Sequence, residues 1–415
     1  MGALDALNFL LADVRGALGP YLNVFLVTQQ HWSQAEVGLV TMVGGILGLL
    51  VQTPVGAAID AARAKRALIV GALLLLAAGA VTIFAFPSFW PVMLANTVVA
   101  TVGDVFGPAV AALTLGLFAA SQLARRLGRN AAFDHAGNVA IAVAAGAVGW
   151  AFSQRAVFLL VPIFAAAAIV ACLSIPAGAI DHERARGGGG RPDLADTRGD
   201  GGNGPGADAK GLGMLLTCRP LLIYGVCTLL FHFANAPLLP LVGQKLAMGH
   251  PALATMMMSS CIVAAQLIML PIALAVGRYA DRVGRKPILL IGFGILPLRA
   301  VLFTLSNAAP WLIGVQILDG VGAGIWGAIT PLVVADLMRG TGRFNVSQGA
   351  IMTMQGVGAS VSGLAAGAVV DGCGYAAAFL SLAGVASAAL AVLALAMPET
   401  AGSAQGRTAV PLRVG

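Results

Sequence analysis

A chain of 415 residues is long enough for two or three soluble domains, but 59% of its residues are hydrophobic and only 10% charged, with a mean hydropathy of +0.90. Soluble domains carry about 25% charged residues, so the bulk of this chain belongs in lipid. The net charge of +7 raises nucleic acid as a partner, yet the basic residues sit in short loops without interleaved aromatics, and membrane orientation accounts for them.

A hydrocarbon core of about 30 Å needs about 20 apolar residues per helix. Runs of that kind fall at 7–27, 36–59, 67–86, 90–112, 133–152 and 157–177, and a second set at 220–242, 252–276, 287–306, 310–333, 346–370 and 374–397. Met1 to Leu7 holds no basic region and the run from Ala6 to Val27 is too long for a cleaved leader core, so the first span is expected to be retained. Between the sets, Gly187 to Gly190 and Arg198 to Gly206 are too polar and Gly-rich to pack, which predicts a linker. The expected fold is an all-α polytopic membrane protein of twelve transmembrane helices: a six-helix bundle over 1–180, a flexible cytoplasmic linker over 181–211, a second six-helix bundle over 212–398 and a cytoplasmic tail over 399–415. Cys172, Cys218, Cys227, Cys261 and Cys373 are scattered, mostly within apolar runs, and read as packing residues.

Lysine and arginine stay mainly on the cytoplasmic side of a membrane. With the N-terminus inside, that side receives Arg63, Lys65, Arg66, Arg125, Arg126, Arg129, Arg278, Arg282, Arg285, Lys286, Arg339, Arg343 and the linker basics, and the other side only Arg155 and Lys245. One miscounted span early in the chain would destroy that asymmetry. A multi-pass protein of a bacterial cytoplasmic (inner) membrane is expected, both termini cytoplasmic.

The loop after the eighth span reads Gly277-Arg-Tyr-Ala-Asp281-Arg282-Val-Gly284-Arg285-Lys286-Pro287. Gly277 permits close helix approach, Asp281 can meet a helix N-terminus or the basics that follow, and Pro287 suits a first helical turn. Such a cluster can act as a conformational latch, made in one state and broken in another. A worn copy follows the second span as Gly56-Ala-Ala-Ile-Asp60-Ala-Ala-Arg63-Ala-Lys65-Arg66. A second echo links Gly128-Arg129-Asn130 through Asp134 and His135 with Gly342-Arg343-Phe344-Asn345 and Gln348, so the two sets form an internal repeat. The first of these loops resembles the G-x-x-x-D-R-x-G-R-K loop of the major facilitator superfamily, and the resemblance extends over the chain apart from the linker and tail. It implies two bundles related by a pseudo-two-fold axis, with a solute site between them that opens alternately to each side.

Ionisable groups inside spans are costly and need a reason. Asp13 and Arg15 in the first span point to different faces. The resemblance places the first, fourth, seventh and tenth spans around the central cavity, making Asp13 a proton-site candidate and Arg15 an anchor for an anionic group; a structural ion pair is the alternative. Asn96 and Asp104 in the fourth span and Gln316 and Asp319 in the tenth join the candidate path. Family members often carry arginine where Asn96 and Gln316 fall, and its absence argues against the usual arginine relay. His232 and Asn235 precede Pro237 and Pro240 in the seventh span, where freed carbonyls need partners; His232 either binds solute or proton or ties two helices. By the same resemblance Arg299, in the ninth span, lies on the outside of the bundle and is structural or snorkels. The pairs Gly44/Gly48, Gly320/Gly324 and Gly363/Gly367 allow helices to touch or slide.

The chain is therefore expected to be a secondary transporter of a small-molecule substrate, with protons as a possible coupling ion, membrane lipid as solvent and a monomer as working unit. It lacks a phosphate-binding loop of the G-x-x-x-x-G-K-[ST] kind, and no nucleophile-and-base pair or metal-ligand cluster points to an enzyme or a cofactor. The alternative is a non-transporting sensor or scaffold that retains the fold.

Overall fold

The computed structural model describes residues 2–12, 18–61, 64–181, 218–339, 341 and 343–401. Asp13, Arg15, most of the expected linker and most of the expected tail lie outside the described residues, as do the side chains of Asp60 and Asp104.

The described chain is helical, with no strand among those residues. The first half holds α1 (Ala3–Leu11), α2 (Leu18–Thr28), α3 (Gln34–Ala61), α4 (Lys65–Ala85), α5 (Phe89–Leu117), α6 (Ala120–Ala151) and, after a 3-10 turn at Arg155–Leu159, α7 (Leu160–Leu173). The second half holds α8 (Arg219–Asn235), α9 (Leu238–Gly249), α10 (Ala254–Val283), α11 (Arg285–Leu305), α12 (Ala309–Leu337) and α13 (Phe344–Ala396). Ten of these stretches are long and apolar enough to cross a membrane. α13 contains two of the expected spans, joined without a loop by a bend at Gly374, whose φ of 85° suits glycine. α1 and α2 together take the place of the first.

Two differences from expectation have local causes. α6 starts at Ala120, thirteen residues before the apolar run at 133, because Ser121 to Arg129 is polar yet free of helix breakers other than Gly128. Hydropathy marks only the part of a helix that lies in lipid. The seventh span divides into α8 and α9 because Pro237 and Pro240 lack the N–H groups that would bond back to Phe233 and Ala236.

Each half has its own apolar core. One runs from Leu4 through Leu73, Phe106 and Phe158 to Ile180, the other from Leu221 through Phe293 and Ile329 to Leu393. A smaller cluster of Tyr21, Val24, Ala145, Ala247, Ala254 and Met258 bridges them. The halves meet where α3 packs on α13, α6 on α10 and α2 on α9.

The repeat seen in the loops has a structural counterpart. Arg66, at the start of α4, donates to the Leu173 and Ile175 carbonyls at the end of α7, and Lys286, at the start of α11, donates to the Ala394 carbonyl at the end of α13 (2.8 Å). Both basics satisfy carbonyls that a helix C-terminus leaves without partners. The two exceptions to the charge asymmetry do the same at the other end of the bundle. Arg155 donates to the Phe84 and Ala85 carbonyls that close α4, and Lys245 to the Phe303 carbonyl near the end of α11 (2.9 Å). We call the end carrying Arg66, Arg126, Arg285 and Lys286 the basic end and the end carrying Arg155 and Lys245 the sparse end.

Candidate functional site

The seam between the halves is tightest toward the sparse end, and glycine makes it so. A Cβ on Gly38 of α3 would lie 2.6 Å from the Gly363 carbonyl oxygen of α13, and one on Gly367 would lie 2.4 Å from the Gln34 carbonyl oxygen. No larger residue permits that approach of two helices. Across α6 and α10, a Cβ on Gly149 would lie 2.4 Å from that of Thr255.

Polar contacts then fasten the same end. At the start of α3, Ser33 and Glu36 form a reciprocal cap: the Glu36 carboxylate accepts from the Ser33 N–H (2.9 Å) and the Glu36 N–H donates to Ser33 Oγ (3.2 Å). The N–H groups of Gln34 and Ala35 go instead to the two oxygens of Asp371, across the seam on α13, at 3.0 and 2.8 Å. A carboxylate on the positive end of one half's helix, supplied by the other half, is a charge-assisted clasp. Beside it, Gln34 Nε2 donates to the Tyr375 hydroxyl (2.9 Å), which donates to Gln244 Oε1 on α9 (3.3 Å). Further along, the Tyr21 hydroxyl meets Ser259 Oγ (2.8 Å), and His135 Nδ1 meets Gln266 Oε1 (3.0 Å) between α6 and α10.

Beneath this closure lies a cavity of about 290 Å³ between α2, α3, the α8–α9 break and α13. Its walls are mostly glycine, alanine, proline and aliphatic carbon, and Asn23, Gln34, Thr41, Gln244 and Ser362 supply the polar side chains. Asn23 Oδ1 is buried, with no hydrogen-bond partner among the described residues.

At the basic end, the motif loop closes on its own half. Gly284 has a φ of 96°, and a Cβ there would approach Glu399 Oε2 to 2.7 Å, so glycine is required by both backbone and space. Arg285 is the hub: it pairs with Asp281 one turn before it (2.7 Å), with Asp336 of α12 (2.9 Å) and with the Ala280 carbonyl (2.8 Å). Glu399 accepts the N–H groups of Arg285 and Lys286, at 2.9 and 3.0 Å, capping α11. Burial alone would raise the Glu399 pKa, but the N–H donors of Ala401, Arg285, Lys286 and Thr400 bring it below the ordinary carboxylate range. Asp281 is 83% exposed, and among the described residues its ion pair is to Arg285. Arg282 is exposed, and a Cβ on Gly277 of α10 would meet nothing within 4 Å among the described residues outside its own helix. The first half has its own clasp in Asp5, which pairs with Arg126 and Arg129, both at 2.7 Å. The Arg129 hydrogen bond, opposed by burial and aided by the Gly2 N–H and Arg126, holds the Asp5 pKa down to about 2.

The described members of the candidate path do not line the cavity. Asn235, Gln316 and Asp319 gather instead around Arg299 inside the second half. Arg299 is 2% exposed; it pairs with Asp319 and donates to Asn235 Oδ1 (2.7 Å), while Gln316 donates to Asp319 Oδ2 (3.1 Å). Arg299 is thus buried and paired, not snorkelling, because the ninth span turns this residue toward α8 and α12. His232 is buried against Phe231 and Trp326, its Nδ1 facing the Thr228 carbonyl (3.1 Å). Asn96 donates to the Val40 carbonyl (3.1 Å), and a Cβ on Gly44 would approach its Nδ2 to 2.8 Å. Asp104 lies on α5 and Asp60 in the last turn of α3.

Sequence reasoning missed Asn23, Gln34, Gln244, Asp371 and Tyr375. A signal was present for Asp371: it is an acid at the apolar edge of a span, and the charge asymmetry was read from basic residues alone. Asn23 is a lone amide in an apolar run and invites the same question.

Comparison with known proteins agrees with this architecture. The sequence profile of the Major Facilitator Superfamily matches residues 4–343 and again 221–412. Two curated relatives from Mycobacterium tuberculosis strains, both described as uncharacterized MFS-type transporters, are 46% identical over 401 residues, covering 97% of this chain and 94% of theirs. Among solved structures, the nucleoside transporter NupG superposes with a TM-score of 0.73 at 14% identity, over 94% of this chain and 97% of that one. A POT family transporter in complex with a thioalcohol-conjugated peptide gives 0.73 at 11% identity, over 94% of each chain. At such identities these two structures speak for the fold alone.

Proposed function

The chain belongs to the Major Facilitator Superfamily of transporters, and from that premise we propose that it is a secondary active transporter moving a small solute between its halves by alternating access. The observation that carries this reading is the cavity between α2, α3, α9 and α13 lying directly beneath a seam fastened by Asp371 and by glycine contact. A site between two bundles, shut at one end by contacts that can separate without unfolding either half, is what a rocking transporter needs.

We place the basic end in the cytoplasm of a bacterial cell, by the distribution of lysine and arginine, so that both termini are inside and the sparse end faces out. The conformation is then one closed to the outside. The Asp281 loop is the inner latch: its carboxylate, engaged with Arg285 in this state, is exposed and free to meet the first half when the inner end closes. A monomer and an imposed ion gradient, protons first, complete the reading, with Asp13 and Asp104 as carriers.

Uptake into proteoliposomes, with and without a pH gradient, tests it. Accumulation of a solute above its external concentration, collapsed by a protonophore, supports proton-coupled secondary transport. Movement only down the solute's own gradient limits the reading to facilitated transport, and no movement of any solute in well-folded protein contradicts it.

A further inference from the structure

We propose that the cavity between the halves binds a small uncharged polar solute carrying both hydrogen-bond donors and acceptors. This rests on the transport reading above and deepens it, since it names the class of molecule moved.

Size comes first. At about 30 Å³ per water, a cavity of about 290 Å³ holds roughly ten waters, or a molecule of somewhat more than that many heavy atoms. Charge comes second. None of the described lining residues is ionisable. Among the described residues, an ion entering this space would shed its hydration shell and meet no counter-charge, which is the unfavourable case for burial. A neutral hydroxyl- or amide-bearing solute would trade its waters for side chains of the same chemistry.

The third argument is the polar lining. Asn23, Gln34, Thr41, Gln244 and Ser362 bring amide and hydroxyl groups, both donors and acceptors, to the cavity. Asn23 and Gln244, on facing helices, are assigned as groups that orient the solute, and a site built on such hydrogen bonds discriminates strongly against analogues that lack them.

The cavity also shares two side chains with the closure above it. Gln34 and Gln244 line the cavity, and both are tied to Tyr375 in the chain that spans the seam. A solute that hydrogen-bonds either glutamine competes with the Tyr375 hydroxyl, so occupancy and closure draw on the same groups. The rival class is an anion held by Arg15, or a zwitterion spanning Asp13 and Arg15.

The test uses the full-length protein in lipid nanodiscs and a panel matched in size: a monosaccharide, a nucleoside and a neutral amide against a carboxylate, inorganic phosphate, a quaternary amine and an amino acid. Binding is read by thermal shift and isothermal titration, and members that bind are carried into counterflow in proteoliposomes. The expected result is binding confined to uncharged members, weakened at least tenfold by Asn23→Leu and by Gln244→Leu, each first shown to remain monodisperse. Binding confined to ions or zwitterions overturns the class, and affinity for a neutral solute unmoved by both variants overturns the site; either result leaves transport standing. A neutral solute that binds through Asn23 but never exchanges across the membrane supports the site and contradicts the transport reading instead.

Discussion

The two ends of the bundle use charge differently. At the basic end, Asp5 is clasped by Arg126 and Arg129 within the first half, and Arg285 joins Asp281 and Asp336 within the second. At the sparse end, Asp371 reaches from the second half to the N-terminus of α3 in the first. Ion pairs inside a half hold that half together in every conformation, and a carboxylate shared between halves favours one conformation over another. The number of charges at an end is therefore a poor guide to where gating occurs; what counts is whether a contact crosses the seam.

The most severe expected effect comes from breaking an internal pair. Arg299→Leu leaves Asp319 in the core of the second half without its cation, at a cost of about 3–5 kcal/mol. Detergent denaturation measures it, and the double variant with Asp319→Leu should recover most of the loss. A double variant that is as stable as the parent and transports normally assigns the pair to structure alone. Full stability without transport would return Asp319 to the path and blur the distinction between internal and crossing charges.

Next is the seam itself. Gly38→Val places bulk where only 2.6 Å separates a Cβ from the Gly363 oxygen; overpacking of about 1–3 kcal/mol falls on the closed state and is relieved when the halves separate, so uptake should drop by about tenfold or more with little change in melting temperature. An equal loss of both would mean that the contact supports folding and not closure.

Smaller effects are expected at the basic end. Asp281→Asn removes an ion pair on an exposed carboxylate and should change stability by less than about 1 kcal/mol, while slowing turnover and sparing solute affinity. Unchanged turnover removes Asp281 from the latch. The Asp5 clasp should have no effect on pH response. With its pKa lowered to about 2, its stabilisation is complete above the unfolded carboxylate value near pH 4 and is lost only as pH falls toward 2. Asp5→Asn should leave the uptake profile between about pH 5 and pH 8 in place; a shifted profile would give Asp5 a role in coupling.

Much of the fold is legible in the sequence because lipid imposes a strong and simple pattern: apolar runs of fixed length divided by basic loops. The repeat is legible through the loop after α10 and its worn copy, and the copy's one-residue offset becomes clear only when Arg66 and Lys286 are seen capping equivalent helices. The site is less legible. Hydropathy reports that Arg299, Asp319 and His232 are deep but not which face of each helix they occupy, so three side chains expected to be separate or lipid-facing settle into the interior of one half. Asp371 and Gln34 are 337 residues apart, and no local signal couples a helix N-cap to an acid at that separation. Asn23 is visible as a polar residue, but that it lines a cavity between the halves is a property of packing.

The central claim is that Asp371 holds the sparse end shut. Native Cys373 is exposed on the second half, and Gln29→Cys adds an exposed site on the first; with Cys218→Ser, spin labels at 29 and 373 report the separation of the halves by double electron–electron resonance. Removing a helix cap costs about 1 kcal/mol, so Asp371→Ala should move the short-to-long population ratio about fivefold toward the long component. A distance distribution identical to that of the parent would contradict the account.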